Sequence, residues 1–316
     1  MTNIAKKGWK VPLQSSKAVS RQRFTGWICN GGLLAAGLLL VAMAFATPAA
    51  DTPIPVPVLL LSSTPKLDGD LGDWPADKWL KISIQPALDG DKENTTGKLD
   101  VQLQIGISDG KIFVAARWAD DAESSNYRPW QWKWKKYKRS KARDDMFALR
   151  FDMEGDFHRC MVADSDYKVD VWLWQAGRSA KAGHAEDTWH LITTQPIEDA
   201  VEFESPTGKT VYIKKYRDEG NKLYRYTRPK RNKRQGDVLP GVAFDLTGSG
   251  SLADVRAAGT WSNGQWQLEM VRALNTGHAD DVELKRGQSI LGQIAVFNNN
   301  YAEHKSISVP LLFQLP

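Results

Sequence analysis

A chain of 316 residues is long enough for one large domain or two smaller ones with a real core. Its 42% hydrophobic and 25% charged residues exclude a disordered or collagen-like polypeptide, and two cysteines are too few for a disulfide scaffold or a Cys-rich metal site. The net charge of +5 sits at the amino end: residues 1–24 carry six basic side chains and no acid, leaving 36 basic against 37 acidic residues elsewhere. The remainder is near neutral, so no nucleic-acid partner is expected.

Taken in chain order, the basic stretch is followed by an apolar run from Leu33 to Ala46 that ends in Ala44-Phe45-Ala46, small residues at the −3 and −1 places of a cleavage site. Basic region, apolar run and small-residue site in that order read as an export signal. The run has 14 residues, short of the ~20 a membrane span needs, but extending it back to Trp27 reaches 20 and allows an uncleaved anchor over 27–46. Residues 1–46 are therefore expected to be a signal peptide or membrane anchor, and the body is expected in the periplasm or otherwise outside the cytoplasm. The Pro-rich residues 47–65, with Pro53, Pro55, Pro57 and Pro65, are expected to be an extended tether, since proline favours polyproline conformation. The folded domain is then 66–316.

That body reads as antiparallel sheet. Leu99 to Ile107 and Ile112 to Trp118 alternate with period two around Asp109-Gly110, and Val255 to Trp261 and Trp266 to Val271 do so around Asn263-Gly264; both dipeptides are hairpin signals. Further strands are expected at Met146–Asp152, Val169–Trp174, Thr210–Tyr216, Ser289–Phe297 and Ser306–Phe313. No long stretch has a helical period. Many short strands between turn residues predict an all-β protein, an antiparallel β-sandwich. Residues 205–240, with eleven Lys/Arg between Lys209 and Arg234, read as a long basic hairpin insertion.

Conventional catalytic signatures are missing: there is no G-x-S-x-G, H-E-x-x-H, phosphate-binding G-x-x-x-x-G-K-[ST] or C-x-x-C-H. The five histidines (His158, His184, His190, His278, His304) are scattered, and each reads as a surface or structural histidine. Between Arg128 and Arg143, Trp130, Trp132 and Trp134 interleave with six Lys/Arg from Lys133 to Lys141. A docking patch for an acidic partner, or a lysine-protected sheet edge, ranks ahead of a base-stacking site or a cofactor wall.

Residues 66–74, Lys-Leu-Asp-Gly-Asp-Leu-Gly-Asp-Trp, resemble the opening of the family-nine carbohydrate-binding-module superfamily, a β-sandwich. Asp170-Val171-Trp172-Leu173-Trp174-Gln175-Ala176 followed by Gly183-His184-Ala185-Glu186-Asp187 is similar to the D-x-W-x-W-x-A and G-x-A-[DE]-D pattern of the ethylbenzene-dehydrogenase gamma-subunit family. Gly264-Gln265-Trp266, Arg272-Ala273-Leu274, Asp280-Asp281-Val282, Ala295-Val296-Phe297 and Lys305-Ser306-Ile307-Ser308 continue that resemblance in order. Gln175 departs from it, where lysine is frequent, as does the long leader.

The resemblance implies a sandwich that binds haem b non-covalently, with iron held by a Met and a Lys, and that relays electrons for a redox partner such as a molybdenum enzyme. Carried over by position, the metal ligands are Met161 and Lys305, with His304 as the runner-up. Met thioether is a soft ligand that raises the iron potential, whereas Lys ligates only as the neutral amine, which burial favours. Trp172 and Trp174 share one strand face, and one face of that strand is expected to wall the haem; taken alone, such residues are more often core. The implied protein is an electron-transfer subunit rather than an enzyme. The competing reading is a carbohydrate-binding module without haem, for which the Trp content provides ring-stacking platforms.

Overall fold

The computed structural model describes residues 52–229, 236–244 and 246–316. The expected signal or anchor, residues 1–46, lies outside the described residues. In chain order the strands are β1 (Ile54–Pro57), β2 (Leu59–Leu60), β3 (Leu80–Pro86), β4 (Leu99–Ser108), β5 (Lys111–Ala119), β6 (Trp130–Lys133) and β7 (Lys136–Arg139). There follow β8 (Met146–Gly155), β9 (Tyr167–Gln175), β10 (Glu186–Thr193), β11 (Val201–Glu204), β12 (Thr210–Arg217), β13 (Arg225–Tyr226), β14 (Val238–Leu239) and β15 (Val242–Ala243). The last are β16 (Arg256–Ser262), β17 (Gln265–Ala273), β18 (Ser289–Phe297), β19 (Ser306–Ile307) and β20 (Leu311–Gln314). Helical backbone among the described residues is limited to short 3-10 turns.

Two layers face each other. One runs β11-β12-β10-β9-β8-β18, and the other β3-β4-β5-β17-β16, joined at a corner where β19 pairs with both β18 and β3. The hairpins form as their turn residues require: Asp109, Gly110, Asn263 and Gly264 all have positive φ, the twist that matches two antiparallel strands. Alternate residues then point inward. Ile105, Val114 and Leu268 from one layer meet Phe147, Leu149 and Phe313 from the other in a single dry core.

Trp172 and Trp174 belong to that core. Both are fully buried, Trp172 packed edge-on to Phe151 and Trp174 edge-on to Trp266. Their neighbours Val171 and Leu173 face the other side of the sheet, so the strand buries its tryptophans between the layers and presents its aliphatic pair outward.

Two expected boundaries move. The Pro-rich segment is not a free tether, because β1 lies parallel to β20 with Val56 fully buried, and β2 lies parallel to β4. Proline is tolerated there because β1 is an edge strand whose outward N–H groups have no ladder partner to lose. Residues 205–240 are not simply an insertion either. β12 sits between β11 and β10 in the main layer, with Val211 and Ile213 buried. Thr210, Tyr212 and Lys214 alternate with these, whereas Lys215 and Arg217 continue their row towards the strand end, a pattern that charge counting hides. The expected strand over Ser306–Phe313 is broken into β19 and β20 around Pro310.

Candidate functional site

The outward face of the β12-β10-β9-β8-β18 layer carries the site. One cross-strand row runs Leu173, Ala148, Ala295, Ile307. Two alanines in its middle leave a hollow between bulkier aliphatic flanks. On one side Phe157, Met161, Val162 and Phe203 pack over Val169, Val171 and Ile213; on the other, Ala87 and Ala302 pack against Ala295, Phe297 and Ile307. Between them lies a mostly apolar cavity of about 1080 Å³, counting its open mouth.

Met161 and Lys305 both line this cavity. Met161 stands on the loop between β8 and β9, and Arg150 fixes that loop from the sheet. The Arg150 guanidinium donates to the carbonyls of His158 (2.7 Å) and Arg159 (2.9 Å), and also to Tyr167 Oη and Gln293 Oε1. Lys305 stands at the start of β19, and its Nζ donates to Ala302 O at 3.1 Å. Burial, reinforced by the cations of Lys215 and Arg150, pushes its amine down to about 8. A lysine in that position reaches its neutral, lone-pair form far more readily than one in water.

The other expected site residues lie elsewhere. His304 turns away, its Nδ1 3.0 Å from both carboxylate oxygens of Asp91, and it does not line the cavity. Trp172 and Trp174 are beneath the floor, in the core; Val171 and Leu173 are the cavity residues of that strand.

Sequence reasoning missed His190. It lines the cavity from β10, and its Nδ1 is buried with no hydrogen-bond partner. Burial first, then Lys215, Arg150 and Lys305, hold it well below the usual imidazole range, so it is a neutral nitrogen donor. The available signal was its alternation with Ile192 on one strand, but β10 is absent from the strands expected from sequence. Cys160 and the cationic residues Arg150, Arg159, Lys215 and Lys305 also border the cavity, with Glu303 the acid among the lining residues. The cavity thus combines an apolar wall and a cationic border with sulfur and nitrogen atoms that could donate to a metal-bearing, anionic cofactor.

The family-like motifs converge at a different place. Arg272 on β17 crosses the sandwich, donating from Nη1 to Asp170 of β9 (2.6 Å) and Asp187 of β10 (3.1 Å), with Asp281 at 3.5 Å. Its Nη2 donates to Val282 O, and its guanidinium lies over the Trp172 ring. Asp170, Arg272 and Asp281 each come from a different motif, and together they bolt the two layers. The 66–74 opening is likewise structural: Asp68 N, Gly69 N and Trp74 Nε1 all donate to the Glu269 carboxylate on β17.

Sandwich, cavity and motif cluster together define the class, and comparison with known families agrees. The family model described as ethylbenzene dehydrogenase matches residues 72–308, three quarters of the chain. The chain belongs to the ethylbenzene dehydrogenase family, whose name associates it with an oxidoreductase. Among solved structures it is similar to a family 9 carbohydrate-binding module from Caldicellulosiruptor kristjanssonii in complex with glucose, with 11% identity, 83% of this chain and 95% of that chain covered, and a TM-score of 0.38. A cellotriose complex of such a module from the same organism gives 12%, 84%, 93% and 0.37. No curated protein matches the chain.

Proposed function

We propose that this protein is a haem b-binding electron-transfer subunit that works outside the cytoplasm with a redox partner protein. The observation that carries the reading is the meeting of Met161 and Lys305, 144 positions apart, on one apolar cavity. Those are the two residues that the resemblance implies as iron ligands. The orphaned Nδ1 of His190 and the cationic border add support from residues the resemblance did not name.

In this reading Met161 offers a neutral thioether and Lys305 its amine, and the Arg150 network holds the Met161 loop in place. Aliphatic side chains exclude water from the slot, and Arg159 and Lys215 supply positive charge for carboxylate groups. When bound, haem supplies reversible one-electron chemistry at iron; the chain itself makes and breaks no bond. The sulfur donor favours the reduced iron and hence a higher potential.

The visible spectrum of the purified full-length protein tests this. A Soret band with sharp reduced α and β bands is expected. A protein that stays colourless after incubation with haemin refutes the reading, and glycan affinity in that colourless protein would place it with the carbohydrate-binding modules.

A further inference from the structure

The hairpin of β6 and β7 stands outside both sandwich layers, in a small sheet of its own with β14. Its two-residue turn is Trp134-Lys135, with φ of 55° and 64°. The two tight hairpins within the sandwich place Asp-Gly and Asn-Gly in this left-handed conformation, residues that adopt it easily. A tryptophan there is a genuine outlier, and nothing in the packing demands it, because the Trp134 side chain is 83% exposed. Lys133, Lys135, Lys136 and Lys138 surround it, all exposed, and there is no acidic residue between Arg128 and Arg143. Behind the tip, Trp132 packs edge-on to Tyr137 at 5.1 Å, and Arg139 lies over the Trp130 ring. These contacts brace the hairpin as a stiff projection.

We propose that the Trp134 hairpin docks the protein on a bilayer surface carrying anionic headgroups, with the indole in the interfacial layer and the lysines at phosphate level. Indole rings concentrate at that depth, and lysines place a charged head in water while their stems lie along apolar material. Charge and exposure favour the bilayer: an 83% exposed indole and four exposed lysines share one hairpin tip, and no acid lies between Arg128 and Arg143. A membrane needs no complementary pocket and gains from each lysine.

The inference is independent of haem. Hydrogen exchange of the full-length chain tests it, read on peptides spanning residues 130–139 so that other segments that bind lipid do not enter the signal. Vesicles of phosphatidylcholine with phosphatidylglycerol should slow exchange at the tip, and pure phosphatidylcholine vesicles should do so weakly. Trp134→Ala should abolish the protection. Lys135→Gln and Lys136→Gln should each raise the lipid concentration for half-protection about five-fold, and added salt should act the same way. Absence of protection on anionic vesicles overturns the proposal. Protection by polyglutamate but not by vesicles also overturns it, in favour of an acidic protein partner.

Discussion

At the scale of single residues, the cavity separates side chains that sequence alone ranks together. Met161→Ala should remove the thioether, lower the iron potential and move the spectrum towards a five-coordinate or water-ligated form, measured by redox titration and visible absorption. Lys305→Ala should change the spectrum from the other side, and Lys305→Arg should behave like it, because a guanidinium keeps its proton and offers no lone pair. His304→Ala should leave the spectrum unchanged, since Asp91 holds that ring away from the cavity. In the Lys305→Ala background, adding His190→Ala should remove the remaining buried nitrogen donor and with it any low-spin signal. A haem spectrum unaffected by Met161→Ala and Lys305→Ala but lost in His304→Ala would refute the assignment.

At the scale of elements, two tests read the sandwich itself. Gly259 on β16 faces Trp174 so closely that an added Cβ would lie 2.5 Å from the ring. That ring is wedged against Trp118 and Trp266 and has no room to retreat. Gly259→Ala should therefore destabilise by about 1–3 kcal/mol through overpacking, seen in a urea melt. Arg272→Met would strand Asp170, Asp187 and Asp281 without their shared cation, so a loss of about 3–5 kcal/mol is expected. Residues 205–240 include β12 of the main layer, with Ile213 and Lys215 on the cavity, so deleting them should abolish cooperative folding.

Over the whole molecule, buried carboxylates outnumber their cations near Arg272, and this sets a pH dependence. Burial, with Asp280, Asp170 and Asp281 nearby, pushes Asp218 up to about 8; burial pushes Asp281 up to about 6. Both oxygens of Asp218 lack a hydrogen-bond partner. A carboxyl whose folded pKa exceeds its unfolded value binds more protons when folded, so stability falls as pH rises between those two values. The melting temperature should thus be higher at about pH 5.5 than at about pH 8, by a few degrees in order of magnitude. Asp218→Asn should flatten that slope and raise the melting temperature at the alkaline end. His190, neutral when folded, acts in the opposite sense below the imidazole range, so a slope that Asp218→Asn leaves unchanged would contradict the assignment.

The local rules written in the sequence determined the tight turns and the strands that flank them. Period-two alternation and the Asp-Gly and Asn-Gly dipeptides specify β4–β5 and β16–β17 through neighbouring residues alone, and the ordered motifs were enough to mark the family. Where strands go after they form is a matter of partners distant in the chain. β1 and β12 looked like tether and insertion because proline and lysine dominate their composition, yet a parallel edge at β20 and a place between β11 and β10 absorb them. The motifs also point away from the cavity. Asp170, Arg272 and Asp281 are spread over more than a hundred positions and meet only because a buried guanidinium on one layer must gather carboxylates from the other layer and from the loop after β17. The site was half legible: Met161 and Lys305 could be named from resemblance. Which face of β9 lines the cavity, that His304 is held by Asp91, and that His190 faces inward depended on the register of strands far apart in sequence. A single-residue shift in that register exchanges the two faces of a strand, so only the tertiary pairing could decide them.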